Sequence, residues 1–168
     1  MKKVTFSLLI IFTLVYTKIY SQDNTAKLPD GISLTFPCVP NTVVDTVNKS
    51  TSALCASGNK KYIVTVVPIP EWESNMPTLV LAEPSRRDYY TSFISKYNGK
   101  LLLDEEIKFK EFIGYDFYLS LTIEYSPIKF VKGRMIVCGM QFVFINYYYE
   151  TMDDETYQAF LNSLTMEK

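Results

Sequence analysis

The sequence predicts an α+β fold: an antiparallel β-sheet, with a meander in its C-terminal half, covered by two helices as an α/β/α or a two-layer sandwich. Three observations lead to this fold class. Stretches with a hydrophobic period of two follow one another directly, which is typical of antiparallel strands. Only two stretches have helical spacing, and each carries one apolar stripe suited to covering a sheet. Strands and helices do not alternate, so parallel βαβ units are not predicted.

Residues 1–21 have the pattern of a secretory signal peptide. Two lysines precede an apolar run from Val4 to Tyr16, and Lys18 ends this run before the roughly 20 apolar residues that a membrane-spanning helix needs. We therefore expect an exported protein, periplasmic or secreted, with a single folded domain over residues 22–168 and no transmembrane segment after signal removal. A retained signal anchor is the alternative, because Ile19 is large for its place near the cut.

The N-terminal part of the domain is predicted to form strands separated by turns. After a polar lead-in, Ile32–Phe36 alternates between apolar and polar residues and stops at Pro37, as a half-buried strand does. A weaker pair of strands is expected at Thr42–Val47 and Ser52–Ala56. The stretch Lys61–Pro68 is apolar on both faces, which indicates a central strand.

The first helix is predicted to follow a loop. Residues 69–84 contain three prolines and no periodicity, so we expect irregular structure there. The helix begins at Ser85, which has the spacing of a capping box with Asp88. It ends at Tyr97, because the following Asn98-Gly99 favours left-handed backbone.

The C-terminal half is predicted as a four-stranded meander and a closing helix. The strand with the clearest alternation has a core face that includes Phe117 and a wet face that includes Tyr118. The helix is capped within Thr151–Asp154. Its apolar stripe consists of Tyr157, Phe160, Leu161 and Leu164. The predicted strands are Leu101–Phe109, Phe112–Tyr125, Ile128–Cys138 and Gln141–Tyr149.

Composition excludes several classes of function. Without the three lysines of the leader, 14 basic residues stand against 18 acidic ones. This mildly acidic balance argues against nucleic acid and anionic lipid as partners. The sequence has no histidine, which removes Ser-His-Asp and Cys-His catalysis and the commonest base near neutral pH. No phosphate loop or dinucleotide fingerprint is present, so no cofactor and no metal site are predicted.

The three cysteines cannot all form disulfides within one exported chain. Their odd number leaves at least one thiol unpaired or available to another chain. Cys38 and Cys55 lie near the ends of neighbouring predicted strands, so a bond between them is conceivable, and three reduced, partly buried thiols are the alternative. Cys138 lies in an apolar strand and is expected to act as a small hydrophobic residue. The absence of a Cys-x-x-Cys pair leaves a redox site or zinc ribbon unsupported.

The order of these elements resembles the Mog1/PsbP-like group of small α+β domains, which includes many exported bacterial members. The resemblance covers most of the mature chain as a pattern of elements. It rests on Phe36-Pro37 followed by Pro40, the helix Ser85–Tyr97, Gly114 before a long strand, Gly133-Arg134, and the closing stretch Phe160–Leu164. The group contains assembly factors, accessory proteins and partner-binding modules and has no shared catalytic residues. The resemblance therefore implies a fold and not a reaction.

Two candidate partner contacts lie around the first helix. Glu71, Trp72 and Glu73 occupy the proline-flanked loop, where a lone tryptophan is either tucked over the sheet edge or offered to a partner. Arg86 and Arg87 are expected in the first helical turn, which is the unfavourable end of the helix dipole for cations. They are therefore predicted to be either solvated or in contact with a partner.

Carboxylates and tyrosines are the remaining candidates. Asp104, Glu105 and Glu106 cluster in one strand, but alternation sends Glu105 to the opposite face, which disfavours an active carboxylate pair. Arg134 is expected to bind a carboxylate on the sheet face. The run Tyr147–Tyr149 offers a stacking surface for sugars or a peptide, although core packing is the commoner role of such residues.

These observations favour an exported, non-catalytic accessory domain that binds another protein or a cell-envelope component. The expected contacts are the loop around Trp72 and an exposed sheet face. The alternative is a small-ligand or glycan-binding protein that uses the tyrosine-rich face, and a hydrolase acting through carboxylates is a third reading. The sequence leaves the oligomeric state open.

Overall fold

Tight turns join most of the strands, so that neighbours along the chain become neighbours in a sheet. The computed structural model describes residues 23–70 and 78–166. Across these residues, ten strands form two antiparallel sheets, accompanied by two helices, and the fold class is α+β as predicted. The strands are β1 (Thr25–Lys27), β2 (Ile32–Thr35), β3 (Asn41–Asp45), β4 (Ser50–Ser57), β5 (Lys60–Pro68), β6 (Lys100–Phe109), β7 (Phe112–Ser120), β8 (Phe130–Cys138), β9 (Gln141–Tyr149) and β10 (Thr165–Met166). The helices are α1 (Thr78–Tyr97) and α2 (Asp154–Asn162).

The large sheet has seven strands in the order β3-β4-β5-β9-β8-β7-β6. Strands β6 to β9 form the predicted meander, and β5 then pairs with β9 along its whole length. Two of the hairpins turn at glycines with left-handed backbone, Gly58 (φ +59°) and Gly139 (φ +56°), a conformation that residues with a Cβ rarely adopt. In this strand order the two edges of the sheet are β3 and β6.

Strand β9 is the centre of this sheet and has the bounds that the sequence predicted. Its side chains are buried on both faces, apart from partly buried Tyr148. Val143 and Ile145 belong to the hydrophobic cluster that contains residues of α2, whereas Phe142 and Phe144 belong to a cluster that contains Ala82 of α1.

The small sheet has the order β1-β2-β10 and packs with α2. Three residues of the predicted stripe are buried on α2, namely Tyr157, Phe160 and Leu161, and the fourth, Leu164, is buried just after the helix ends. The rings of Phe160 in α2 and Phe36 after β2 lie 4.9 Å apart. Strands β1 and β10 were missed, because segments of three and two residues are too short to have a period.

Helix α1 begins at Thr78, and the prediction that residues 78–84 form a loop was wrong. Pro84 lies inside the helix, although proline removes one backbone hydrogen bond and usually breaks a helix. The segment before it contains good helix formers, and Ala82 is fully buried in a cluster with Tyr115 and Met135. Tertiary packing therefore outweighs the local proline signal. Within residues 23–70 and 78–166, neither helix has the length and apolar character needed to cross a membrane.

Strand β7 ends at Ser120, five residues before the predicted end. Beyond it the chain forms an irregular connection, in which Tyr125 has left-handed backbone (φ 60°) and is 97% exposed. The end of α1 also differs in detail from the prediction. Asn98 adopts the left-handed conformation (φ 45°), while Gly99 is needed because a Cβ there would lie 2.9 Å from the carbonyl oxygen of Ser120.

Candidate functional site

Exposed apolar side chains are concentrated on the β3–β4 hairpin. Strand β3 is an edge of the large sheet and pairs with β4 alone among the described strands. We call the group formed by Val39, Val43, Val44, Val47 and Leu54 the hairpin surface. Val43, Val44 and Val47 are 49%, 64% and 87% exposed. Val43 and Val44 are successive strand residues and point to opposite faces, so the exposed valines flank the β3 edge on both sides and make this edge a candidate for an interaction site.

Charge is nearly absent from this part of the chain. Between residues 39 and 57 the only charged side chains are Asp45 and Lys49. The opposite edge differs: β6 contains an irregularity in its pairing between Leu101 and Leu103, and it carries a row of charged residues. These are Lys100, Asp104, Glu105, Glu106 and Lys108. Charges and bulges are the usual means of preventing edge strands from pairing with other chains, and β3 has no bulge and a single charged residue, Asp45.

A disulfide anchors the hairpin to the core. Cys38, just before β3, is bonded to Cys55 in β4, and their Cα atoms are 5.8 Å apart. Cys55 is buried, as is Ala53 two residues earlier. The base of the hairpin is therefore held in place while its outer strand stays in solvent.

The turn of the hairpin is ordered by Asp45. Its Oδ1 accepts hydrogen bonds from the backbone N–H groups of Val47 (2.9 Å) and Asn48 (3.1 Å). The side-chain amide of Asn48 donates to Oδ2 at 2.7 Å. These bonds hold the pKa of Asp45 below its ordinary value, and the bond from the Asn48 side chain contributes most. Val47 is thus presented on a defined turn.

An open cavity of about 770 Å³ adjoins the tip of the hairpin. It is lined by the turn residues Val47–Lys49 and, from β5, by Pro68–Pro70. On the other side lie Met140 and Gln141, and the amide nitrogen of Gln141 donates to the carboxylate of Asp30. Pro70, which lines this cavity, is the last residue described before the proline-flanked segment. Glu71, Trp72 and Glu73 themselves lie outside the described residues.

Arg86 and Arg87 lie in the middle of α1, not in its first turn, because the helix starts earlier than predicted. The guanidinium of Arg86 is 3.3 Å from Oδ1 of Asp104 and lies 4.2 Å from the centre of the Tyr115 ring. Arg87 is exposed and pairs with Glu83 at 3.0 Å. Arg86 is therefore engaged within the domain, and Arg87 is the more accessible of the two.

The carboxylates of β6 are distributed as predicted. Asp104 accepts a hydrogen bond from the hydroxyl of Tyr90 at 2.9 Å, and Glu106 accepts one from Tyr115 at 3.5 Å. Glu105 lies opposite Asp116 of β7. Over the described part of the chain, no group of three or more acidic, cysteine or histidine side chains has a geometry that holds a metal ion.

Arg134 forms the predicted contact with a carboxylate on the sheet. Its Nε and Nη2 donate to the two carboxylate oxygens of Asp116 at 2.6 and 2.8 Å, in a bidentate pair. Both side chains are largely buried.

The tyrosine run belongs to the core. Tyr147 and Tyr149 are buried, and Tyr147 stacks on Tyr62 (4.9 Å between ring centroids) and on Tyr157 of α2 (5.5 Å). Burial raises the pKa of Tyr147, Tyr149 and Tyr157, which keeps their hydroxyls neutral. These rings do not form an exposed stacking platform.

Sequence reasoning missed the hairpin surface. It placed a strand at Thr42–Val47, but the position of that strand at the sheet edge depends on the distant pairing of β5 with β9. One local signal was present: Val43, Val44 and Val47 do not alternate with polar residues, so they cannot all face one core.

The structure is similar to known ones, whereas the sequence is not. No protein-family model and no curated protein matches the chain. The solution structure of cyanobacterial PsbP (CyanoP) from Synechocystis sp. PCC 6803 matches with a TM-score of 0.62 at 9% identity, over 85% of this chain and 91% of that chain. A crystal structure from Bacteroides thetaiotaomicron VPI-5482 has a TM-score of 0.40 at 8% identity, over 88% of this chain and 49% of that chain. At such low identity the first match concerns the fold alone, and it confirms what the resemblance implied: the chain has a PsbP-like fold.

Proposed function

We propose that this protein is an exported, non-catalytic domain that binds another protein or a cell-envelope component through the hairpin surface. The observation that carries the proposal is an edge strand with exposed valines, a single charged residue and no bulge in its pairing with β4. Depletion of charge at the centre of a patch is a feature of protein interfaces.

The location of the surface supports this proposal. We infer an α/β/α arrangement, in which α1 covers one face of the large sheet while α2 and the small sheet cover the other. Successive residues of a strand point to opposite faces. Phe142 and Phe144 share a cluster with Ala82 of α1, whereas Val143 and Ile145 share one with α2. Much of both faces is then core, so an edge is the natural place for a partner.

The chemistry of the titratable groups favours binding over catalysis. A general acid or base needs a pKa near the operating pH, reached through burial or close charges. Hydrogen bonds from Asn48 and Lys60 lower the pKa of Asp45 and Asp153, which moves these carboxyls away from neutrality. Burial raises the pKa of Cys138, which makes this thiol a poorer nucleophile.

Export is supported by the disulfide. Bonds such as Cys38–Cys55 persist in oxidising compartments and are rare in the cytosol. The glycan-binding alternative receives less support, because Tyr147 and Tyr149 are buried on the side of α2 and Tyr148 is partly buried against Phe93 of α1.

The proposal is tested by capturing partners from the native cells. The tagged exported protein is compared with a Val44→Glu variant, which places a charge on the hairpin surface, and with Leu103→Glu, a matched change at an exposed position of the β6 edge. We expect cross-linking and mass spectrometry to show partners that Val44→Glu loses and Leu103→Glu keeps, with unchanged melting temperatures. Equal capture by the wild type and Val44→Glu would refute the hairpin surface as the binding site.

A further inference from the structure

We infer that a second copy of this chain occupies the hairpin surface, with β3 pairing antiparallel to β3 across a two-fold axis at Val43. The two seven-stranded sheets then join into one. This inference rests on the proposed function and names one occupant of its binding surface.

The backbone of β3 restricts what fits against it. Strand β3 is extended over Asn41–Asp45 and its outer side pairs with no described strand. That side presents N–H and C=O groups at the spacing of a β-ladder, which is complemented by another extended backbone. The occupant is therefore a polypeptide strand.

The side chains of this segment are complementary to themselves. When Val43 lies opposite Val43, Thr42 lies opposite Val44 within the ladder, and Val39 and Val47, which flank β3, lie at its two ends. Asn41 lies opposite Asp45, which pairs an amide with the only charged residue of the strand. A two-fold interface requires a surface that matches its own copy, and this register provides it without opposing like charges.

Other two-fold registers are less favourable. With the axis at Val44, the carboxylate of Asp45 lies opposite Val43. With the axis at Thr42, it lies opposite Val39. Asp45 keeps its bonds to Val47 and Asn48 within each copy. Only the axis at Val43 also places it opposite a polar side chain of the second copy while joining the exposed valines.

The opposite edge of the large sheet, β6, limits the association to two copies. Strand β6 is protected by its charged residues and by the irregularity at Leu101–Leu103. Of the two edges of the large sheet only β3 is bare, so pairing there produces a dimer and does not extend this sheet further. A strand of five residues buries little area, so we expect a dimer that forms at roughly micromolar concentration and that a partner for the same edge displaces.

The register is tested with cysteines on the oxidised, exported protein. In an antiparallel pair, directly opposed Cα atoms are about 5 Å apart, which suits a disulfide. Val43→Cys should therefore yield a covalent dimer on non-reducing gels. Val44→Cys is the matched control: this position is more exposed but faces Thr42 in the proposed register, so it should yield several-fold less dimer. An equal or larger yield from Val44→Cys would overturn the register.

Charge substitutions at Asn41 test the same interface without a covalent bond. Asn41→Lys places an ammonium opposite Asp45 in both halves and should tighten the dimer several-fold in sedimentation velocity. Asn41→Asp opposes two carboxylates and should weaken it several-fold. A wild type that stays monomeric at all concentrations, or variants that dimerise equally, would refute the inference. If the hairpin-dependent capture of partners nevertheless persists, the proposed function stands and only the second copy as occupant is excluded.

Discussion

The ring of Phe117 lies against the backbone of Gly133, its partner on the neighbouring strand β8. A Cβ at Gly133 would be 2.1 Å from Cζ of that ring, well inside contact distance. The missing side chain lets the ring lie flat on the sheet, where it meets Tyr89 (5.8 Å) and Tyr90 (5.1 Å) of α1. A single glycine thus determines how closely α1 approaches the sheet.

We expect Gly133→Ala to lower the free energy of unfolding by about 3 kcal/mol, because the added methyl group displaces Phe117 from a packed core. Urea denaturation measures the change. The same substitution in a Phe117→Leu background should cost much less, since the clash is with the ring. If the two costs were equal, the contact with Phe117 would not be the reason that glycine occupies this position.

The sequence predicts elements that are defined by their own side chains. Strand β9 was found at its correct bounds because Gln141–Tyr149 is mostly apolar and aromatic and follows the Gly139-Met140 turn. The stripe of α2 was found because its apolar residues repeat at helical spacing. Both signals are local.

Features that depend on distant residues were missed. Gly133 was predicted to lie within a strand, as it does in β8, but the need for glycine there is set by Phe117 across the ladder. The first turns of α1 depend on the packing of Ala82, which overrides Pro84. The exposure of Val43 and Val44 follows from the position of β3 in the sheet, which no local pattern specifies.

The Arg134–Asp116 pair should be necessary for stability, because a second carboxylate, that of Glu105, lies on the other side of Asp116. Arg134→Met leaves a largely buried carboxylate next to a second one, and we expect a loss of roughly 3 kcal/mol in the free energy of unfolding. The double variant Arg134→Met with Asp116→Leu should recover most of this loss. A double variant as unstable as Arg134→Met would show that the arginine acts through packing and not through its carboxylate partner.

The disulfide should stabilise the domain and keep the hairpin in place. Cys38 and Cys55 are 17 residues apart, and closing a loop of this length contributes about 3 kcal/mol in the chain-entropy model. Replacing both by Ala should lower the urea midpoint accordingly. A reducing agent should have the same effect on the wild type and none on the double variant. If the reducing agent destabilised both proteins equally, the effect would not come from this bond.

The partner contact at Trp72 remains a prediction from the sequence, since Trp72 lies outside the described residues. We expect Trp72→Ala to reduce the capture of partners without changing the melting temperature, because tryptophan is enriched among residues that dominate binding energy. Tyr125→Ala is a suitable control, since Tyr125 is exposed in a different connection. Unaltered capture by Trp72→Ala would leave the hairpin surface as the only supported contact.

The start of α2 should make stability depend on pH in acid. Asp153 pairs with Lys60 at 2.8 Å and caps the helix by accepting hydrogen bonds from Thr156. These contacts hold the pKa of Asp153 below the ordinary value of 3.8, and the contact with Lys60 contributes most. A carboxyl with a lowered pKa in the folded state stabilises the protein above the ordinary value, and this contribution is lost as the pH falls below it. Asp153→Asn retains a capping oxygen but removes the ion pair and the titration. We therefore expect the wild type to unfold at higher urea than Asp153→Asn at pH 7, with the difference shrinking below pH 3.8. In a Lys60→Met background, the difference in urea stability at pH 7 between proteins with and without Asp153→Asn should be smaller. If the difference between the wild type and Asp153→Asn did not change with pH, Asp153 would act only as a neutral cap.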